Sequence, residues 1–219
     1  SANSVIAEPG KWYIGVSAGQ SNYNDWVSQA DITTFKDEFG ASLGVVNFDG
    51  TQSADSNDSA FGYKLFGGYS FHENTAIEFS YMNMGEVDAN SNASGTFYDL
   101  VDNSIDGDLF AKAKAKVDAF TLDVNLSYPI TSFAALMLKG GVYVADTELD
   151  INAGSPISME NFNSSKTKDS TGLHYGIGIN FKVTDVIGLR AEWERLDQVK
   201  ANNGENNVDL LSAALVYNF

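Results

Sequence analysis

The sequence predicts an all-β fold, an eight-stranded antiparallel up-and-down transmembrane β-barrel. Three observations carry that expectation. Apolar positions alternate with polar or glycine positions at a period of two in eight segments. The connections between segments alternate long and short. Gly, Asp, Asn or Ser interrupts every hydrophobic stretch before the roughly 18 apolar residues that a spanning helix requires, so a chain that crosses a membrane does so with strands.

The first strand, about 12–22, sets Trp12, Ile14, Val16 and Ala18 on one face and Tyr13, Gly15, Ser17 and Gly19 on the other. The second, 60–71, opposes Phe61, Tyr63, Leu65, Tyr69 and Phe71 to Gly62, Lys64, Phe66, Gly68 and Ser70. After a tight turn at His72-Glu73-Asn74, the third, 75–84, places Ile77, Phe79 and Tyr81 against Glu78, Ser80 and Met82. The fourth, 113–128, places Phe120, Leu122, Val124, Leu126 and Tyr128 against Thr121, Asp123, Asn125 and Ser127. A short turn over Pro129 to Ser132 leads to the fifth, 133–146, where a bulge is expected near Gly140-Gly141. The sixth, 171–183, sets Leu173, Tyr175, Ile177, Ile179 and Phe181 against His174, Gly176, Gly178 and Asn180. It turns at Thr184-Asp185 into the seventh, 186–196, with Ile187, Leu189, Ala191 and Trp193 against Gly188, Arg190, Glu192 and Glu194. The eighth, 208–219, ends on Leu215, Tyr217 and Phe219.

Residues 1–219 are thus expected to form one barrel domain, with long polar loops between strands one and two, three and four, five and six, and seven and eight. An even strand count puts both termini at the short-turn end, which in outer-membrane barrels faces the periplasm. On the apolar face, Trp12, Tyr69, Phe71, Tyr128, Phe181, Tyr217 and Phe219 fall at that end, and Phe61, Tyr63, Tyr81, Tyr175 and Trp193 at the other, as two interfacial girdles require. A water-soluble lipocalin-like barrel is the competing reading; it would turn its apolar residues inward and carry many more charges outside.

Composition narrows the partners. A net charge of -16 without a basic stripe argues against nucleic acid. With no cysteine there is neither a disulfide nor a thiolate metal site. Ser1 to Gly10 lacks the basic and apolar regions of a secretory signal, so the sequence reads as a mature form.

The segments Trp12-Tyr13-Ile14-Gly15, Phe66-Gly67-Gly68-Tyr69, Ile77-Glu78-Phe79, Leu126-Ser127-Tyr128-Pro129-Ile130-Thr131, Gly140-Gly141 with Ala145-Asp146-Thr147, Arg190-Ala191-Glu192 and the terminal Leu215-Val216-Tyr217-Asn218-Phe219 resemble the OmpA-like transmembrane barrel family in order and spacing. The resemblance follows all eight strands and not the long loops. It implies location in the bacterial outer membrane and use of Phe219 as the signal read by the outer-membrane assembly machinery. It also implies an interior charge network of Glu on strand three, Lys on four, Glu on six and Arg on seven. Glu78 and Arg190 match; the other two positions are Asn125 and Asn180, which puts a switch between alternative ion pairs in doubt. The chain stops at Phe219, so the peptidoglycan-binding domain of many members is not carried over.

An eight-stranded barrel has an interior that side chains just fill, so a wide channel is not expected. Glu78 and Arg190 point inward near mid-strand, and a buried charge without a partner is costly, so the two are expected to pair as a polar plug or a gate. Lys64, Asp123 and Lys139 could extend the network. Lys112, Lys114 and Lys116 share the parity of Phe120 and should project sideways above the hydrocarbon, at the height of lipopolysaccharide phosphates, or simply into solvent. The run from Asp102 to Asp108 begins like a calcium loop, but Ala113 stands where a bidentate Glu is needed, so neither a metal nor another cofactor is expected. Of the two histidines, His72 sits in a turn and His174 points inward, away from any lipid-facing serine, which argues against a hydrolase. The expected protein is a non-enzymatic, monomeric outer-membrane barrel in contact with lipid and lipopolysaccharide, with an envelope role and surface loops for adhesion or contact with an extracellular ligand; the alternative is a narrow gated channel for ions or small solutes.

Overall fold

Antiparallel pairing organises nearly the whole chain in the computed structural model, which describes residues 9–24, 26, 29–99, 103–155, 161–200 and 205–219. Among them are nine strands, β1 (Lys11–Tyr23), β2 (Asn47–Asn57), β3 (Ser59–His72), β4 (Thr75–Tyr98), β5 (Ser104–Pro129), β6 (Ala134–Gly154), β7 (Asn161–Lys182), β8 (Ile187–Lys200) and β9 (Glu205–Asn218), and one helix, α1 (Gln29–Ser42), between β1 and β2. The sheet order is β2-β4-β3-β1-β9-β8-β7-β6-β5, with a further pairing of β4 to β5. The result is an all-β, barrel-like sheet that closes unevenly, because β2 pairs only with the distal part of β4.

The membrane-facing surface follows from the alternation. Trp12, Phe79, Leu122, Val142, Leu173 and Leu215 are exposed outward, while Tyr13, Glu78, Asp123, Tyr143, His174 and Arg190 are buried inside. Aromatic rings group at both ends of this surface: Trp12 with Tyr69 (4.9 Å between centroids) and Tyr217 with Phe219 (5.2 Å) at the short-turn end, Tyr81 with Phe120 (5.2 Å) and Tyr175 with Trp193 (6.3 Å) at the other.

Three sequence expectations need correction. The predicted long loops are largely strand: β4 and β5 stay paired from Glu86↔Lys116 to Tyr98↔Ser104, and β6 and β7 from Thr147↔Lys168 to Gly154↔Asn161. Distal β4 and β5 alternate Ala with Asn, Asp or Lys, and Ala has little hydrophobic contrast and low strand propensity. Distal β7 is a polar run from Asn163 to Lys168, whereas distal β6 does alternate, Leu149, Ile151 and Ala153 against Glu148, Asp150 and Asn152, and its polar partner strand hid it. The first loop contains α1 and β2, neither of which the sequence reading placed. Finally, β6 keeps one register through Gly140-Gly141 on both sides. The irregularities lie instead between Ser70 and His72, between Asn83 and Glu86, and between Leu196 and Val199.

The interior is layered. Tyr13, Phe66, Ala76, Ala214 and Val216 form an apolar floor at the short-turn end. Beyond a band of charged residues, Tyr23, Trp26, Met82, Met84, Val117, Tyr143, Leu196 and Leu210 form a second apolar layer. Tyr23 ties that layer together: its hydroxyl donates to the Gly85 carbonyl (2.8 Å) and accepts from the Val117 amide (3.1 Å). Farther out, α1 packs Ile32 against the inward face of β4, β5 and β6 at Ala89, Ala111, Ala113 and Ala153. Its Phe35 and Phe39 meet Phe162 on β7 at 6.2 and 6.3 Å.

Candidate functional site

The floor positions the site. Tyr13 pairs with Gly68, and Gly15 with Phe66. A Cβ at Gly68 would lie 2.2 Å from the Tyr13 ring and one at Gly15 2.2 Å from the Phe66 ring, so each ring lies flat across the opposing strand only because a glycine is there. The Arg190 guanidinium sits over both rings, 4.7 Å from the centroid of Phe66 and 5.7 Å from that of Tyr13.

Glu78 is the hub. Its Oε2 accepts from Tyr13 Oη (2.9 Å), Asn125 Nδ2 (2.9 Å) and Arg190 Nη1 (2.8 Å), and its Oε1 from Lys139 Nζ (2.8 Å). Arg190 Nε donates to Asn180 Oδ1 at 2.8 Å. Asn125 and Asn180, where the resemblance led one to expect charges, therefore join the network as neutral hydrogen-bond partners, one to the central carboxylate and one to the guanidinium.

Two glutamates complete the cluster. Lys139 also donates to Glu192 (3.0 Å) and Glu194 (2.7 Å), and Lys64 binds Glu194 at 2.6 Å as well as Glu192. Sequence reasoning put Glu192 and Glu194 on the inward face but gave them no role. The signal was present, because Arg190, Glu192 and Glu194 are three successive inward positions on one strand. Asp123 lies apart from the hub: Oδ1 meets His174 Nδ1 at 2.8 Å, and Oδ2 accepts from Thr121, whose hydroxyl lies 2.7 Å from that of Ser80. His174 Nε2 is 3.5 Å from Glu194. Its described contacts are thus to carboxylates and not to a serine hydroxyl. All of these side chains are buried; Glu78, Glu192, Glu194, Lys64, Lys139 and Arg190 each meet an opposite charge, the arrangement in which buried charge is tolerated, and Asp123 is held by hydrogen bonds with His174 and Thr121.

The outer lysines stand elsewhere. Lys112, Lys114 and Lys116 point outward from distal β5. Lys114 pairs with Glu86 (2.7 Å) and Lys116 with Asp118 (2.7 Å). The Glu86 hydrogen bond and charge raise the Lys114 pKa above its ordinary value. Next to them on β6, Asp146 is pushed up by desolvation and by its neighbour Asp169. In the calcium-like run, Asp102 lies outside the described residues, and Asp106 accepts from Thr96 at 2.6 Å. Among the described residues, no group of three or more His, Cys, Asp or Glu is disposed to hold a metal ion.

Comparison with known proteins places this geometry. The sequence family described as OmpA-like transmembrane domain matches residues 7–219. No curated protein sequence matches the chain. Among solved structures, the outer membrane protein OprG of Pseudomonas aeruginosa superposes with a TM-score of 0.52 at 18% identity, over 98% of this chain and 98% of that one. Neisserial surface protein A superposes at 0.51 and 14% identity over 95% and 97%. The attachment invasion locus protein Ail of Yersinia pestis superposes at 0.50 and 16% identity over 97% and 100%. At these identities the likeness is one of fold. With the family match spanning nearly the whole chain and the fold shared with outer-membrane proteins, this chain belongs to the OmpA-like transmembrane domain family and resides in the bacterial outer membrane.

Proposed function

We propose that the chain is a single-domain, eight-stranded up-and-down barrel with a closed lumen, whose tall outer strands serve adhesion or contact with a ligand outside the cell. The eight-strand count is supported by the pairing cycle β1–β3–β4–β5–β6–β7–β8–β9–β1, with β2 continuing the path of β3 along distal β4. The observation that carries the functional reading is an inversion of polarity within single strands. On β5 the outward positions are Phe120, Leu122 and Val124 near the middle, but Lys112, Lys114 and Lys116 farther out. Nothing in lipid requires the distal half, and long polar extensions held by full hydrogen-bond ladders are suited to binding. Cells displaying a variant in which 88–114 is replaced by a short turn should lose attachment to host cells or matrix; attachment equal to wild type would refute the reading.

The charge cluster, in this reading, is a plug. Its carboxylates and cations satisfy one another, and apolar layers lie on both sides. Arg190→Ala should leave planar-bilayer conductance at baseline; a conductance change would favour a gate. The exposed rings of Tyr217 and Phe219 suit recognition by the assembly machinery. The lysine row is proposed to meet lipopolysaccharide, with Lys112, flanked by Asn90 and Asn152, the member best placed to do so. A Lys112/Lys114/Lys116→Ala variant should retain less lipopolysaccharide on purification.

A further inference from the structure

Above the outer aromatic girdle, the outward positions of β4–β7 are almost all Ser, Thr, Asn, Asp, Glu or Lys. Among the described residues, Phe110 and, at the tip, Tyr98 are the aromatic exceptions. Phe110 pairs with Asn92 on β4 and Gly154 on β6; two residues along β5, Lys112 pairs with Asn90 and Asn152. A Cβ at Gly154 would lie 2.5 Å from Phe110 Cε1 and 2.7 Å from Cζ. The ring is therefore laid across Gly154, along the sheet, with its outer face to solvent. Phe110, Lys112, Asn90, Asn92 and Asp108 line a shallow groove of about 420 Å³, within the roughly 300–1,000 Å³ of small-molecule sites.

We propose that this wall is a saccharide-binding site. A pyranose presents a face of C–H groups, which packs on an aromatic ring, and a rim of hydroxyls that both donate and accept. Carboxamides also donate and accept, a carboxylate accepts and an ammonium donates, so Asn90, Asn92, Asn152, Asp108 and Lys112 together can satisfy such a rim. Other ligand classes fit less well. A phosphate would meet one lysine among carboxylates, with Asp88 and Asp55 within reach of Asn90 at 2.8 and 3.2 Å. An added peptide strand needs a free edge, and β5 is paired on both sides here. Phe110 lies ten residues beyond Phe120 on β5, roughly 25 Å above the girdle for a strand rising about 3.3 Å per residue at a typical barrel tilt. That is the layer of sugars carried by outer-leaflet glycolipid, and the layer that a glycan from outside the cell reaches first.

This assignment rests on the ligand-contact reading above and names its ligand class. The test uses the full chain in detergent micelles, with saturation-transfer NMR and calorimetric titration against two probes: core oligosaccharide freed of lipid A by mild acid, and a panel of mammalian-type glycans. At least one probe should bind, with saturation reaching the Phe110 ring. Phe110→Ala should weaken binding about tenfold, the scale of one lost aromatic contact. Asn152→Ala should weaken it less, and Asp185→Asn in the periplasmic turn should leave it unchanged. Resistance to unfolding in cold dodecyl sulfate verifies that each variant is folded. Binding of the core oligosaccharide alone identifies the cell's own glycolipid as the source, and binding of the panel alone a foreign glycan; either supports the site. Binding of neither probe, or equal affinity in Phe110→Ala, overturns it. If neither binds while cells still attach and the 88–114 replacement abolishes attachment, the saccharide assignment falls and the ligand-contact reading stands.

Discussion

The lower and outer halves of β4–β7 are built from the same ladders but with opposite chemistry. In the lower half the outside is apolar and the inside holds Glu78, Lys139, Asp123 and His174. In the outer half the outside is charged, and the inside holds Ala89, Ala111, Ala113 and Ala153 packed on Ile32 of α1. Because β5 and β6 keep one register from Phe110↔Gly154 to Pro129↔Ala135, the exchange owes nothing to a slip of the chain. The medium decides it: lipid demands an apolar exterior and leaves the lumen for paired charge, whereas water permits a polar exterior and rewards an apolar interior. The lower half is built as a membrane barrel is, the outer half as a soluble β-domain is.

Substitutions should separate the halves, and the largest effect belongs below. Glu78→Ala removes the acceptor of four donors, takes from Arg190 its close counter-ion and leaves Lys139 with two of its three carboxylates, so unfolding by urea in lipid vesicles should show a loss of about 3–5 kcal/mol. Ile32→Asp should cost about 2 kcal/mol, confined to the outer half. Trypsin should then reach Lys36, which is buried on α1, while the spanning strands resist it. Global unfolding after Ile32→Asp would show that the two halves are one cooperative unit and weaken the contrast. Tyr13→Phe deletes a single buried hydroxyl and should cost about 1–2 kcal/mol by the same urea measurement. Lys114→Ala breaks only an exposed pair with Glu86 and should change stability by less than about 1 kcal/mol.

The inversion also explains what could be read in advance. Strands such as β1, β8 and β9 were legible because lipid enforces a strong contrast between Leu215 or Trp12 and their neighbours. In distal β4 and β5, Ala alternating with Asn or Lys has no such contrast, and distal β7 is polar on both faces from Asn163 to Lys168, so the same ladder looked like loop. Helix α1 was hidden for a related reason: its buried positions are Ile32, Lys36 and Gly40, a face with little apolar signal. At the site, parity alone put Glu78 and Arg190 on one inner surface, and they meet at 2.8 Å. The link from Lys64 to Glu194 joins residues 130 positions apart, and alternation along a strand says nothing about contacts across the lumen. Nor could it reveal that Asn125 and Asn180 would take up the places of charges as hydrogen-bond partners.

On β5, lipid contact is expected to end near Asp118, where the outward residues turn from Phe120 to Lys116. A single-cysteine scan of 112–124, simple in a chain without cysteine, with nitroxide labels in bilayers reads this directly. Labels at 120, 122 and 124 should be relaxed by oxygen dissolved in lipid, and labels at 112, 114 and 116 by a water-soluble nickel chelate. Oxygen-dominated relaxation at 112–116, or nickel-dominated relaxation at 122 and 124, would show that the lipid boundary does not lie there.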